Sequence, residues 1–316
     1  MRVAVLGGGA FGTALALALS RDGTDVALWS RDVRDAATMR ADRMTGRRLP
    51  GLPLPDSLVV SDDIPQADLF LISVPAQKVR GFLQEHRAAL AGRTLISCAK
   101  GMERGTGQGP VDVIRSVIPD ANAGCLTGPS FAADIARGLP TALVLAMEGD
   151  AEPVRAALSR PTFRVYRTPD VAGAQWGGAL KNVIAIAAGI AIGAGLGDSA
   201  RASVIARGFA EMTRYAKSKG AKTETIQGLS GLGDLVLTCT SEKSRNFMAG
   251  KLLGAGSAPD ASTTVEGIAT AQALAAEASA RGLDMPLTAA VAAVTEGKLD
   301  IAAAIEALLA RPAGEE

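Results

Sequence analysis

The chain has 316 residues, of which 48% are hydrophobic and 21% are charged, a balance that excludes wholesale disorder and suffices for about two globular domains. Its 33 Lys and Arg residues are matched by 32 Asp and Glu residues, and only 3% of the chain is aromatic. Neither a polybasic face nor a stacking surface for bases is indicated, so we expect no nucleic-acid partner.

Cysteine and histidine content narrows the possible chemistry further. The three cysteines, Cys98, Cys125 and Cys239, are far apart and lack the spacing of a disulfide framework or a zinc site, which favours a reducing cytoplasm. The single histidine, His86, excludes multi-His metal sites and most His-based mechanisms, and we expect it to be solvated on a helix surface. The sequence therefore predicts a cytoplasmic protein with no metal site.

Two long uncharged runs need an interpretation. Residues 3–20 contain Gly7, Gly8, Gly9 and Gly12, which would break a hydrophobic helix, so this run is read as a strand and a turn rather than as a signal peptide. Residues 182–197 are too few for a membrane span and predict a buried helix. We expect no integral membrane segment.

The first half of the chain alternates short apolar runs with amphipathic stretches, a pattern that predicts a parallel sheet covered by helices. The predicted strands are, in chain order, Val3–Leu6, Asp25–Trp29, Leu69–Val74, Thr94–Ser97, Ala123–Leu126, Ala142–Ala146 and Phe163–Tyr166. After Thr168 the strand signals stop and an Ala-, Gly- and Leu-rich helical pattern begins. The prediction is an α/β chain with a Rossmann-type doubly wound domain at residues 1–170 and an all-α domain at residues 171–316.

A glycine-rich motif joins the first predicted strand to the first helix. Gly7, Gly9 and Gly12 form G-x-G-x-x-G, in which the glycines allow a tight turn, close approach of a pyrophosphate and close helix packing. An ordinary glycine-rich turn would give the same letters, but the strand-turn-helix context favours a dinucleotide.

The end of the second strand, about twenty residues further on, sets the choice of dinucleotide. Here Ser30 and Arg31 can accommodate a ribose phosphate, while Asp32 can instead cap the next helix. NADP is favoured and NAD remains open, the alternative for Arg31 being an ordinary surface charge.

Polar residues follow two later strands, at the sheet edge where ligands bind. Lys100 can hold an anionic substrate group there, or can simply face water. Ser130, in the segment TGPSFA, can open the next helix and expose backbone donors.

A single lysine stands out in the second half. Lys181 is the only charged residue between Val171 and Gly197. Burial disfavours the ammonium form, which would bring the pKa of Lys181 into the range of a general base. A side chain that reaches along the surface to water is the alternative.

Two further segments carry polar groups suited to a phosphorylated ligand. Asp234, in the turn GLGD, can orient a lysine or accept hydrogen bonds from hydroxyls. Ser244, Arg245 and Asn246 open a helix and suit a phosphate, although turn or capping roles alone would explain them.

The order and spacing of several motifs resemble bacterial NAD(P)-dependent glycerol-3-phosphate dehydrogenases. The motifs are GGGAFGTALA, CAKG, GPSFA, GGALKNVIAIAAG, GLGDLVLTC, SRN and VEG, and they span nearly the whole chain. GGALKNVIAI and GLGDLVLTC are far more specific than the glycine motif.

The resemblance implies a C-terminal domain like that of 6-phosphogluconate dehydrogenase, a homo-oligomer, and specific residue roles. Lys181 would be the proton acceptor, and the cofactor contacts would include Ala10, Phe11, Arg31, Lys100, Ala132, Arg245, Thr264 and Glu266. The substrate contacts would include Lys100, Gly128, Ser130, Lys181, Asp234, Ser244, Arg245 and Asn246. Phe11 stands where Trp or Tyr is common in the family, and Thr264 where Val is.

The implied reaction is reversible hydride transfer that reduces dihydroxyacetone phosphate to sn-glycerol 3-phosphate for phospholipid synthesis. Two alternatives remain open at this point. A β-hydroxyacid or ketopantoate-type reductase would share the two-domain plan but would not need the Arg-Asn pair. A catalytically silent NAD(P) sensor would tolerate the loss of Lys181.

Overall fold

The computed structural model describes residues 1–260 and 264–310, and its first half is built on one eight-stranded sheet. The strands are β1 (Val3–Leu6), β2 (Val26–Trp29), β3 (Leu58–Ser61), β4 (Leu69–Ile72), β5 (Thr94–Ser97), β6 (Asn122–Thr127), β7 (Thr141–Met147) and β8 (Phe163–Thr168). The helices among them are α1 (Ala10–Ser20), α2 (Val33–Asp42), α3 (Val79–Glu85), α4 (Arg87–Leu90), α5 (Pro110–Val117), α6 (Ala132–Ala136) and α7 (Glu152–Leu158).

The second half is helical throughout the residues that the structure describes. Its helices are α8 (Val171–Gly193), α9 (Gly197–Ser218), α10 (Thr223–Gln227), α11 (Asp234–Cys239), α12 (Arg245–Gly254), α13 (Glu266–Ala280), α14 (Pro286–Thr295) and α15 (Ile301–Leu309). A π-helical turn at Leu229–Gly233 runs directly into α11. The predicted fold class, a Rossmann-type sheet followed by an all-α region, is confirmed.

The sheet order is β3-β2-β1-β4-β5-β6-β7-β8, and β1 to β6 pair in parallel. Its first six strands have the order of a dinucleotide-binding fold, in which the chain reverses direction across the sheet between β1 and β4. Ligands bind such sheets at that point, outside the carboxyl ends of the strands. The glycine motif follows β1 and therefore lies where a dinucleotide would bind.

The structure differs from the predicted sheet in two respects. The edge strand β3 was not predicted, and it pairs with β2 from Val26↔Leu58 to Trp29↔Ser61. The strand β7 runs antiparallel to β6, with Gly124 opposite Met147, whereas a fully parallel sheet was expected. β8 pairs in parallel with β7, so the last two strands run opposite to the other six.

His86 is also placed differently from the expectation. It lies at the junction of α3 and α4, where its ring centroid is 4.8 Å from that of Phe82 and 5.5 Å from that of Trp29. The expectation of a solvated histidine is wrong, because its ring packs against two aromatic side chains and only 20% of its side chain is exposed.

The long helix α8 forms the centre of the helical half. By length and composition alone α8 could cross a membrane, but 83% of its most apolar window is buried inside the protein. It packs against α9, α11, α12 and α13. The prediction of a buried helix in this region is therefore confirmed.

Side chains of the helical half reach directly into the sheet half. The Gln175 side chain accepts a hydrogen bond from Val111 N (3.2 Å) and donates one to Asp112 Oδ2 (3.1 Å), so it completes the N-terminus of α5. Met102 N donates to Thr270 Oγ1 at 3.3 Å. These contacts fix the two halves against each other along the cleft between them.

Candidate active site

The glycine motif leaves an open helix N-terminus beside the end of β1. Gly7 has φ +135°, and a Cβ there would lie 2.4 Å from Ser73 O, while a Cβ at Gly12 would lie 2.0 Å from Gly7 O. A Cβ at Gly9 would meet nothing within 4 Å, and no side chain caps α1. The turn is thus tightly packed at Gly7 and Gly12 and open at Gly9. At the open side, the backbone donors and the helix dipole favour a pyrophosphate.

The residues after β2 form the rim of this pocket. Ser30 is buried, and a Cβ at Gly8 would lie 2.6 Å from its Oγ, so Ser30 packs directly behind the glycine motif. Arg31 is exposed. The interpretation of Asp32 as a helix cap is confirmed, since its Oδ1 accepts a hydrogen bond from Asp35 N at 3.1 Å.

Lys181, on α8, is buried against α11, and 8% of its side chain is exposed. Its Nζ donates to Asp234 Oδ1 at 2.7 Å and to Thr238 Oγ1 at 2.6 Å. Burial lowers the pKa of Lys181 to about 8, although the Asp234 carboxylate opposes that shift, and the nearby Lys100 charge lowers it further. The alternative of a lysine that reaches to the surface is wrong.

One carboxylate serves both lysines of the cleft. Asp234 Oδ2 accepts a hydrogen bond from Lys100 Nζ at 2.7 Å while Oδ1 binds Lys181, and only 1% of the Asp234 side chain is exposed. Lys100 Nζ also donates to Gly128 O at 2.9 Å and lies 5.9 Å from the centroid of the Phe11 ring. Lys100 therefore links the substrate side of the cleft to the glycine motif.

A close backbone contact sets the position of Asp234. A Cβ at Gly177 would lie 2.7 Å from Ser230 O, within the π-helical turn that precedes Asp234. Only glycine at residue 177 allows this approach. Gly177 lies one helical turn before Lys181 on α8, so the same contact brings the carboxylate next to the ammonium group.

Two side-chain amide groups connect the start of α12 to Lys100. Asn246 Oδ1 accepts from Gly267 N at 2.9 Å, and its Nδ2 donates to Asn182 Oδ1 at 2.9 Å. Asn182 Nδ2 in turn donates to Lys100 O at 3.0 Å. Both Asn246 functional groups are thus held by protein partners, and one Nδ2 hydrogen remains for another acceptor.

The N-terminus of α12 presents backbone donors and a cation to the cleft. Ser244 caps the helix, with its Oγ accepting from Phe247 N at 3.2 Å, and Arg245 at the first helical position is exposed. Glu266, at the start of α13, accepts from Ala76 N at 3.3 Å. Burial raises the pKa of Glu266, and the hydrogen bond from Ala76 N and the Arg245 charge oppose this rise.

The remaining predicted contacts lie around the same cleft. Ser130 Oγ donates to Gly128 O at 3.0 Å, and Phe131 rather than Ser130 is the N-cap of α6, so the predicted helix start was one residue early. Ala132 is the first residue of α6, and Thr264 is exposed two residues before α13.

Thr238 and Asn182 were not assigned roles from the sequence. Thr238 follows Asp234 by four residues on α11, and its hydroxyl donates to Asp234 O while it accepts from Lys181 Nζ. The i, i+4 spacing of a carboxylate and a hydroxyl in the GLGDLVLTC motif was the available signal. Asn182 adjoins Lys181 in sequence, but its contact with Lys100 O joins residues 82 positions apart.

No group of three or more His, Cys, Asp or Glu side chains suited to a metal ion occurs within residues 1–260 and 264–310. The charged residues singled out above include two lysines that share the Asp234 carboxylate, and one of them, Lys100, lies beside Phe11 of the glycine motif. Such a site suits a reaction that moves a proton on an anionic ligand.

Comparisons with known proteins agree on one family. Residues 2–152 match the family model for the N-terminus of NAD-dependent glycerol-3-phosphate dehydrogenase, and residues 170–306 match that for its C-terminus. A glycerol-3-phosphate dehydrogenase [NAD(P)+] of Ruegeria sp. is 55% identical over 321 residues, which cover 100% of both chains. A crystal structure of glycerol-3-phosphate dehydrogenase from Coxiella burnetii, 34% identical, superposes with a TM-score of 0.93 over 98% of this chain and 99% of that one.

Proposed function

The chain belongs to the NAD-dependent glycerol-3-phosphate dehydrogenase family, and from this premise we propose the residue roles by which it works. It is an NAD(P)-dependent oxidoreductase that reduces dihydroxyacetone phosphate to sn-glycerol 3-phosphate and catalyses the reverse reaction. We assign cofactor binding to residues 1–170 and substrate binding to residues 171–316.

The cofactor binds along the carboxyl ends of β1 and β2. The open space at Gly9 and the uncapped start of α1 fit a pyrophosphate. The dihydronicotinamide, when bound, supplies the hydride. The residues proposed to hold the cofactor are Gly7, Gly9, Ala10, Phe11, Gly12, Ser30, Arg31, Lys100, Ala132, Arg245, Thr264 and Glu266.

Lys181 is the acid and base of the reaction. As an ammonium it gives a proton to the oxygen at C2 of the substrate during reduction, and as a neutral amine it takes that proton back during oxidation. The pKa of about 8 supports this role, because both protonation states are then populated near neutral pH. The single observation that carries the proposal is the buried Lys181 ammonium group, whose Nζ lies 2.7 Å from an Asp234 carboxylate that Lys100 shares.

Asp234 and Lys100 set the position and the electrostatic surroundings of the Lys181 amino group. The Asp234 carboxylate favours the charged form of Lys181, so it keeps an ammonium group in a buried site, and its second oxygen binds Lys100. Lys100 provides a second positive charge for the oxygen that becomes negative as hydride arrives. Gly128 and Ser130 line the same side of the cleft and are assigned to the substrate.

The substrate phosphate is assigned to the start of α12. Ser244, Arg245 and Asn246 surround backbone N–H groups at a helix N-terminus, which favours a dianion. Arg245 adds a charge-assisted hydrogen bond. This remote contact would place the carbonyl carbon against the hydride donor and the oxygen against Lys181.

NADPH oxidation in the presence of dihydroxyacetone phosphate tests the assignment. Lys181→Met keeps the size of the side chain, and we expect it to lower turnover by about 10²-fold or more while cofactor affinity is retained. Near-normal turnover by Lys181→Met would remove the base assignment. Turnover of unphosphorylated hydroxyacids instead would favour the ketopantoate-type reading, and cofactor binding without turnover of any substrate would favour a sensor.

The cellular setting is proposed on the same premise. We place the enzyme in the cytoplasm, where its product would serve glycerophospholipid synthesis, and we expect NADPH to be preferred over NADH. We also propose a homo-oligomer. Light scattering coupled to gel filtration would measure the mass directly, and a mass of 32.1 kDa would contradict the oligomer.

A further inference from the structure

A loop that follows α2 returns to the rim of the cofactor pocket and is held there by several contacts. Arg43, at φ +51°, donates from its guanidinium to Leu58 O at 3.1 Å, and the backbone N–H of Arg47 donates to Asp35 Oδ1 at 3.3 Å. A Cβ at Gly46 would lie 2.7 Å from Asp35 Oδ2, so the loop packs closely against the start of α2. The loop is thus anchored at both ends of its turn.

The anchored loop presents Arg47 to the Asp32 carboxylate, which caps α2 three residues after the end of β2. Arg47 Nη2 lies 2.8 Å from Asp32 Oδ2, and both side chains stay open to solvent. Asp32 Oδ1 is occupied by Asp35 N, so the carboxylate cannot turn away from the rim. Arg31 is exposed next to it in sequence, which puts two guanidinium groups and one carboxylate beside the expected ribose.

We propose that Arg47 is a specificity-determining residue for the cofactor, because it cancels the Asp32 charge that would otherwise repel a ribose 2′-phosphate. The inference rests on the cofactor site assigned above. A carboxylate at the end of β2 ordinarily selects the ribose hydroxyls of NAD and rejects the phosphate of NADP. In this chain the carboxylate is present but paired, so Arg31 meets the phosphate without opposition from Asp32.

The role assigned to Arg47 differs from that of a direct phosphate ligand. A direct ligand would lose its contact on substitution whether or not Asp32 is charged. A neutralising partner acts through the sum of the two charges, so the preference should depend on their net charge and should return when Arg47 and Asp32 are neutralised together. This dependence is measurable without any turnover.

The experiment compares the affinities of two adenosine fragments by calorimetry. Adenosine 2′,5′-bisphosphate carries the 2′-phosphate and 5′-AMP lacks it, so the ratio of their Kd values isolates that group. We expect Arg47→Gln to lower the preference for the bisphosphate by about fivefold, the size of effect expected for one exposed charge at short range. Asp32→Asn added to Arg47→Gln should restore most of the preference, and Asp32→Asn alone should raise it, because the Arg47 charge is then unopposed.

Arg155→Gln is the matched control. It breaks an exposed ion pair with Glu152 on α7, near the opposite edge of the sheet, and alters the net charge by the same amount. It should leave the ratio unchanged, and unaltered 5′-AMP affinity in every variant would show that the pocket remains folded. An unchanged ratio in Arg47→Gln would overturn the proposal. A preference that stays low in the double variant would overturn it too and would make Arg47 a direct ligand of the phosphate.

The outcome is separable from that of the proposed function. Dehydrogenase activity with dihydroxyacetone phosphate depends on Lys181 and can persist whatever the fragment ratios show. Loss of both fragment affinities in the Gly9→Ala variant would locate the cofactor site independently of Arg47.

Discussion

Asp234 Oδ1 accepts a hydrogen bond from Lys181 Nζ at 2.7 Å, although both side chains are almost completely buried. Removing such charges from water is costly unless each has a partner, and here each has more than one. The arrangement keeps Lys181 able to exist in two protonation states inside the protein. Several measurable properties follow from it.

The pH dependence of the two reaction directions should be opposite. Because the pKa of Lys181 is lowered to about 8, the ammonium form is lost as pH rises through that value. We therefore expect kcat for reduction of dihydroxyacetone phosphate to fall above about pH 8 and kcat for oxidation of sn-glycerol 3-phosphate to rise over the same interval. Initial rates in both directions between pH 6 and pH 10 would measure this. If both rates rise, or both fall, across pH 8, the titration belongs to another group.

Asp234→Asn should move that inflection toward acid. The Asp234 carboxylate raises the pKa of Lys181 against the effect of burial, so its replacement by a neutral amide lowers the pKa further. Reduction at pH 7 should become slower, and stability should fall by about 3 kcal/mol because the buried Lys181 and the partly buried Lys100 lose their carboxylate partner. Rate profiles and urea unfolding would measure both effects. Asp62→Asn, which breaks the exposed pair with Arg40, is the charge-matched control and should change neither.

Two alanine substitutions in the glycine motif should have different consequences. A Cβ at Gly12 would lie 2.0 Å from Gly7 O, so Gly12→Ala should destabilise the fold by about 1–3 kcal/mol. A Cβ at Gly9 would meet no protein atom within 4 Å, so Gly9→Ala should keep the melting temperature but weaken NADPH binding by about tenfold or more. Thermal unfolding and titration of NADPH fluorescence would measure the pair, and undiminished NADPH affinity in Gly9→Ala would move the pyrophosphate elsewhere.

Arg31→Asp should shift cofactor preference toward NADH. The substitution removes an attraction for the 2′-phosphate and adds a repulsion, so we expect the NADPH to NADH ratio of kcat/KM to fall by about tenfold or more. Arg34→Asp, also exposed but within α2, makes the same charge change and should have the smaller effect. Equal ratios before and after Arg31→Asp would refute the assignment.

Arg245→Ala should reduce discrimination in favour of a phosphorylated substrate. If Arg245 holds the phosphate, its loss weakens the binding of the phosphorylated substrate by roughly 2 kcal/mol and leaves that of unphosphorylated dihydroxyacetone unchanged. The ratio of kcat/KM for dihydroxyacetone phosphate to kcat/KM for dihydroxyacetone should fall accordingly. Lys251→Ala, in the last turn of the same helix, is the control, and an unchanged ratio in Arg245→Ala would point to Lys100 as the phosphate ligand.

Local sequence patterns predicted the elements that carry their own signal. The glycine motif lay between a strand and a helix, and Lys181 lay in an apolar run, so both could be interpreted without knowledge of distant residues. The strand β3 escaped prediction because it is a four-residue edge strand in which Leu58 is buried and Val59 exposed, after a segment rich in proline and glycine. The reversal of β7 likewise has no local signal, since a buried strand looks alike in either direction.

The partnerships within the cleft depend on tertiary contacts. Sequence motifs singled out Lys100, Lys181 and Asp234 separately, but the sharing of one carboxylate joins residues 134 and 53 positions apart. The use of the Asn246 amide to hold Asn182 and Gly267 N is of the same kind. Such pairings follow from how helices cross, which a single sequence does not reveal.

The helix α8 belongs to both hydrophobic cores. Val171 and Ala174 pack into the core formed with the sheet, whereas Trp176 and the residues after it pack into the core of the helical half. In a chimaera of two homologues joined at residue 170, the sheet would come from one parent and α8 from the other. The residues of α8 that pack into the sheet core would then contact side chains from a different protein, and that core would pack poorly. For recombination between relatives, the natural unit of exchange is the sheet together with the whole of α8.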